Sequence, residues 1–247
     1  MDEKMRSSKY LVNCDLGEKD NTDELSLDLK LLPYIDMANI ACAGHAGSHD
    51  VMQFMMDACK QNNVHIGAHP SYPDRKNFGR ISIPADGDKI RTWISQQLNL
   101  FLQIAAETGV TIHHMKPHGA LYHDAAQLDV IADVVVDVTR ELMGSVAIVG
   151  PAGTALEAAA TRAGLPYLAE AFADRRYTPS LALQSRTIPG SVLSPAQASD
   201  QVHQMITHGT VTTSDGPRPI RFDTLCIHSD SPDALTITRS VHNLTRS

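Results

Sequence analysis

From end to end the sequence alternates between short apolar runs and longer segments with helical periodicity, and this alternation leaves few folds open. The short runs cover residues 10–14, 38–42, 65–68, 111–115, 146–149, 166–171 and 224–227. Bounded by Gly, Pro or Asp, they read as strands. Helical patterns over 51–62, 88–108, 127–142, 154–163, 195–207 and 232–243 fill the gaps, and Gly109, Gly144, Gly164 and Gly209 are their expected stops. About seven βα units in succession predict a parallel sheet covered by helices. Either an open doubly wound sheet or a barrel of seven or eight strands satisfies that pattern. The repeat count and the length of 247 residues favour one barrel domain over 1–247, of class α/β. The Ser- and Pro-rich stretch 177–195 is expected to be a lid or binding loop.

Charge and cysteine usage narrow the function classes. The net charge is −7, and no basic run exceeds two residues (Arg75-Lys76, Arg175-Arg176). That argues against a nucleic-acid partner, which needs clustered cations for phosphates. Residues 1–9 are polar and mixed in charge, without the apolar stretch of a signal peptide. No apolar run approaches the roughly 20 residues of a membrane span. Cys14, Cys42, Cys59 and Cys226 show no C-x-x-C spacing, so reduced thiols and a cytoplasmic location are expected.

The informative pattern is where the polar residues fall. Strand after strand runs into titratable residues: Asn13-Cys14-Asp15-Leu16-Gly17-Glu18, then Gly44-His45-Ala46-Gly47, Ala68-His69-Pro70, Lys116-Pro117-His118-Gly119, Glu170 to Tyr177, and His228-Ser229-Asp230. In a parallel α/β fold these ends converge on one face, where such folds bind ligands. Asp15, His45, His69, His118 and His228 are therefore candidates for acid–base work, His having a pKa near neutrality. Asp15 also reads as a helix N-cap, and each His taken singly as structural. Lys116, Arg175 and Arg176 are candidate anion handles, Arg175 and Arg176 being alternatively paired to Asp174 or Glu170. His113 and His114, adjacent on a strand, must face opposite sides. Cys14 and Cys42 read as small buried hydrophobes. There is no G-x-x-x-x-G-K-[S/T] and no G-x-S-x-G.

Ordered motifs span nearly the whole chain: N-C-D-L-G-E at 13–18, L-L-P-Y at 31–34, A-N-I-A-C at 38–42, H-A-G at 45–47, G-A-H-P at 67–70, Y-P-D at 72–74, F-G-R at 78–80, K-P-H-G-A-L-Y at 116–122 and E-A-F-A-D-R-R-Y at 170–177. With them the sequence resembles the LamB/YcsF family. It departs from the family's usual pattern at Ala43-Gly44, where Gly-Phe is usual, and at Ser48, Ser71 and Ser229, where Asp, Gly and Gly are usual.

The resemblance implies a seven-stranded, distorted (β/α) barrel of the glycoside hydrolase/deacetylase kind. It also implies the role of the A component of 5-oxoprolinase, opening the lactam 5-oxoproline to L-glutamate with ATP as co-substrate and subunits B and C as partners. On that reading Asn13, Lys116, Arg175 and Arg176 would contact substrate or phosphate. Glu18, Asp174 and Asp230 would supply oxygen ligands to a divalent ion such as Mg²⁺. Two other readings stay open: a metal-dependent amidohydrolase or deacetylase working without ATP, and a substrate-holding subunit whose chemistry belongs to its partners.

Overall fold

A computed structural model describes residues 10–230 and 233–246. Residues 1–9 and Pro232, where the last helix is expected to begin, lie outside the described residues. Among the described residues there are nine strands: β1 (Leu11–Leu16), β2 (Met37–Ala41), β3 (His65–His69), β4 (Ile112–Met115), β5 (Ala147–Pro151), β6 (Tyr167–Phe172), β7 (Thr210–Thr213), β8 (Gly216–Pro219) and β9 (Thr224–His228). The α-helices are α1 (Ser26–Leu31), α2 (His49–Gln61), α3 (Gly87–Thr108), α4 (Gly119–Gln127), α5 (Asp129–Met143), α6 (Ala155–Ala163), α7 (Pro195–His208) and α8 (Ala234–Arg246).

Seven parallel strands close a barrel in the order β1-β2-β3-β4-β5-β6-β9. The last strand pairs with both the sixth and the first, Asp15 standing beside His228 in register. The seven expected strands are these seven. The β7–β8 hairpin lies outside the barrel and does not follow from the strand pattern, although its Ser-Asp-Gly turn at 214–216 is a recognisable hairpin signal. Two further helices add to the expected set: α1, and α4, which starts immediately after His118. The predicted stops at Gly109, Gly144, Gly164 and Gly209 are C-caps, and α7 opens with a capping box of Ser194 and Gln197. No helix among the described residues is long and apolar enough to cross a membrane.

Strand alternation sorts the barrel interior into layers. Leu11, Met37 and Val149 form a separate apolar cluster with Leu168 against it, plugging one end. Two residues further along β1 and β2 the interior turns polar at Asn13 and Asn39, which are buried with His114 and Thr224. Asn39 Nδ2 donates to Asn13 Oδ1 (2.8 Å), Asn13 Nδ2 donates to Thr224 (2.9 Å), and His114 Nε2 donates to Asn39 Oδ1 (2.8 Å). This layer exists because position 67 is glycine: a Cβ there would lie 2.1 Å from His114 Nε2. The outer surface of the strands packs against the helices through the main core.

Candidate functional site

Another step along the strands brings the interior to its charged layer, at the C-terminal end of the barrel. Lys116 is 2% exposed and held between two carboxylates, Asp15 Oδ1 at 2.9 Å and Glu170 Oε1 at 2.8 Å. Asp15 Oδ1 also accepts from Asn39 Nδ2 (2.7 Å), and Glu170 Oε2 accepts from Tyr122 (2.8 Å). Burial works against the charge on Lys116, but Asp15 and Glu170 more than reverse it and hold its pKa well above the usual lysine range. Burial likewise opposes ionisation of Asp15, and the fields of His69 and Lys116 outweigh it, leaving that carboxyl well below its usual range. Lys116 is thus a buried counter-ion to two protein carboxylates, which differs from the anion handle its charge suggests.

Above this layer His45, His69 and His118 meet Glu18. His69 Nδ1 donates to the backbone carbonyl of Lys116 (2.8 Å), and its Nε2 stands 3.4 Å from Asp15 Oδ2. His118 Nε2 donates to the carbonyl of Phe78 (2.9 Å), and its Nδ1 faces His69 Nε2 at 3.0 Å. Glu18 Oε1 lies 3.3 Å from His118 Nδ1 and accepts from His45 Nε2 (3.1 Å). The His45 and His118 rings stack 3.6 Å apart. Burial, and then neighbouring imidazoles, push both of these rings well below the usual histidine pKa, so they are neutral.

On the other side of the mouth, His228 Nδ1 lies 3.1 Å from both oxygens of Asp174, which also accepts from the His228 backbone N–H (3.1 Å). Nδ1 is the donor here, since a carboxylate only accepts. Burial tends to raise the Asp174 pKa, but His228 more than compensates and the carboxyl is depressed. Asp174 is engaged in this pair, and Asp230 in ion pairs with Arg80 (3.0 Å) and Arg186 (2.9 Å). The all-oxygen ligand set of Glu18, Asp174 and Asp230 is therefore not assembled as a ligand cluster.

A cavity of about 460 Å³ joins these groups, with Asp15, Glu18, His69, Lys116, His118, Arg175 and His228 in its lining. That volume suits a small molecule. The expected loop forms one wall, with Leu183 to Thr187 lining the cavity, tied down by antiparallel bridges Arg175–Val192 and Tyr177–Leu183. Gln201 Nε2 pins the start of the loop by donating to the carbonyls of Phe172, Ala173 and Arg175. Arg175 is 6% exposed; it donates to the Gln184 carbonyl (2.6 Å), and its Nε is buried without a hydrogen-bond partner. Arg176 is absent from the cavity lining and Asn13 lies in the layer beneath it.

Arg80, Glu170, Phe172 and Arg186 also reach the site region. Arg80 belongs to the F-G-R motif and Glu170 opens E-A-F-A-D-R-R-Y, so both are visible in the sequence as motif residues but not as site residues. Arg186 has no local signal at all, because only the folding of the loop brings it to the mouth. Two departures from the family pattern have a physical reading. Ala43 holds a left-handed φ of 64°, which glycine adopts more easily. A Cβ at Gly44 would lie 2.6 Å from Ser71 Oγ and 2.2 Å from Gln97 Oε1, so Ser71 and Gln97 occupy the space a side chain at 44 would need.

The model of the LamB/YcsF family matches residues 11–247. A protein of Chloroflexus aggregans, named as the A component of 5-oxoprolinase, is 40% identical over 225 residues, 90% of this chain and 89% of that one. A protein of the same name from Methylococcus capsulatus is 40% identical over 232 residues, covering 92% and 88%. The crystal structure of a lactam utilization protein from Thermus thermophilus superposes with a TM-score of 0.87 at 32% identity, over 95% of each chain. Motif order, barrel and site together place this chain among them: it belongs to the LamB/YcsF family.

Proposed function

We propose that the chain is the single-domain, cytoplasmic A component of a 5-oxoprolinase, working with subunits B and C to open 5-oxoproline to L-glutamate at the expense of ATP. The observation that carries this reading is a cavity that sets a buried, incompletely bonded arginine opposite two carboxylate–imidazole pairs. Arg175 has a planar fork suited to the substrate carboxylate. His228, oriented by Asp174, presents its Nε2 lone pair as a base for water. The Lys116–Asp15 layer keeps the floor of the site polar and fixed, so that little reorganisation is needed as charge develops on the lactam oxygen. Amide resonance makes a lactam a poor electrophile, which gives ATP its purpose: phosphorylating the carbonyl oxygen activates its carbon toward water. Collapse of the adduct breaks the C–N bond as the nitrogen takes a proton, and a second water hydrolyses the resulting acyl phosphate to L-glutamate and phosphate. Asp174 and Asp230 are already engaged with His228 and the arginines, so neither serves as a Mg²⁺ ligand in this reading.

The test is reconstitution with subunits B and C, reading glutamate and ADP from 5-oxoproline and ATP. Arg175→Gln should raise KM at least tenfold, the scale of one charge-assisted bidentate contact. Asp174→Asn should lower kcat by about 10²–10⁴ with little effect on KM. Wild-type kinetics in both variants would sink the proposal.

A further inference from the structure

Two of the histidines at the mouth are each held by a backbone carbonyl. A carbonyl oxygen only accepts, so His69 Nδ1 and His118 Nε2, bonded to the carbonyls of Lys116 and Phe78, must each carry their ring's hydrogen. The other nitrogen of each ring, His69 Nε2 and His118 Nδ1, turns toward that of its neighbour at 3.0 Å. A carboxylate oxygen, Glu18 Oε1, stands 3.3 Å from His118 Nδ1. One potential ligand atom from each of Glu18, His69 and His118 lies within 4.8 Å of the others, a spacing that a single metal ion can bridge. We infer that His69, His118 and Glu18 form a binding site for one divalent transition-metal ion of the zinc type, with a position left open toward the cavity.

The distances agree with this. Metal–nitrogen bonds of about 2.0–2.1 Å place neighbouring tetrahedral donors roughly 3.3 Å apart. The two carbonyl hydrogen bonds are the supports that metal-binding imidazoles ordinarily have, fixing tautomer and ring orientation. His45 plays a different part. It lies in the same cluster, its ring stacks on that of His118, and its Nε2 donates to Glu18 and steadies that carboxylate. Two nitrogens and one oxygen favour a d-block ion over Mg²⁺, which prefers oxygen alone. The site stands on donor geometry and does not depend on the lactam substrate. Asp15, 3.4 Å from His69 Nε2, supplies a nearby negative charge that strengthens cation binding.

Metal content tests it without any turnover. The whole chain, stripped with chelator and dialysed against Zn²⁺ or Co²⁺, should retain one equivalent by elemental analysis, and the Co²⁺ form should show visible absorption of a low-symmetry site. His118→Ala and Glu18→Gln should each weaken retention by at least tenfold, the usual scale for a lost ligand or its support. His123→Ala, a cavity residue outside the donor set, should retain the full equivalent, and circular dichroism would verify that each variant is folded. Failure of the wild-type chain to hold either ion, or equal retention by folded His118→Ala, would overturn the inference while leaving the lactam reading untouched. Retained metal with no 5-oxoproline turnover would do the reverse.

Discussion

Replacing Lys116 by Met removes the cation from between Asp15 and Glu170 while keeping most of the side-chain volume. At 2.9 and 2.8 Å, each contact is worth about 6 kcal/mol of attraction at an effective dielectric of about 20. Desolvation of the ammonium offsets much of that sum. What remains on deletion is two buried carboxylates without their shared counter-ion, a loss of about 3–5 kcal/mol near neutral pH. For a chain of this size that lowers Tm by roughly 6–20 °C. The sign with pH follows from the two shifts. The raised Lys116 stabilises the fold below its unfolded pKa and ceases to do so as pH rises through its folded one; the depressed Asp15 stabilises it above its unfolded pKa until pH falls through its folded one. Wild type therefore holds the full contribution across neutrality. The variant, with both carboxylates unpaired, takes up a proton on mild acidification that wild type does not bind, so the difference narrows toward about pH 5. Urea unfolding of both proteins near neutrality and at about pH 5 measures this. A difference under about 1 kcal/mol at neutrality, or one that widens on acidification, would refute the counter-ion role.

Two other perturbations follow from particular contacts. Gly67→Ala places a methyl 2.1 Å from His114 Nε2 and should destabilise by about 1–3 kcal/mol, with partial recovery in the Gly67→Ala/His114→Ala pair, read by the same unfolding assay. Asp28 is buried, and its pKa is raised to about 6 by that burial against the hydrogen bond from Gly17. Its ionisation therefore weakens the fold as pH climbs from about 4 to 6, and Asp28→Asn should flatten that slope and stabilise the protein at neutrality by up to about 3 kcal/mol, visible as a smaller fall in Tm than wild type shows over that range.

The barrel is legible in the sequence because its strands are short, apolar and spaced by helices, and because their polar ends fall on one side. His114 shows why parity reading works: next to His113 on the same strand, it points inward while its neighbour is exposed. What sequence pattern does not carry is who pairs with whom. Lys116 and Arg175 look alike as cations at strand ends, yet one is neutralised by Asp15 and Glu170 and the other keeps a free nitrogen. For Lys116 that difference depends on residues far away along the chain. Asp174 and Asp230 similarly look like metal ligands until their imidazole and arginine partners are seen. Strand-end location is a local property and partner choice a tertiary one.

The meeting of β1 with β9 has a consequence for how the protein is made. Ser229 Oγ donates to the backbone carbonyl of Asp15 across a separation of 214 residues, and Asp15 has His228 beside it in the closing seam. At about 5–20 residues per second, the ribosome takes roughly 10–40 s to deliver the far side of that seam. Throughout that interval the first strand has an unmet edge, and the residues around Asp15 have no opposite wall. Chain termination before the final strand would leave no partly working protein, only an open sheet with charges facing water. Closure of the barrel mouth thus waits on the last of its seven strands.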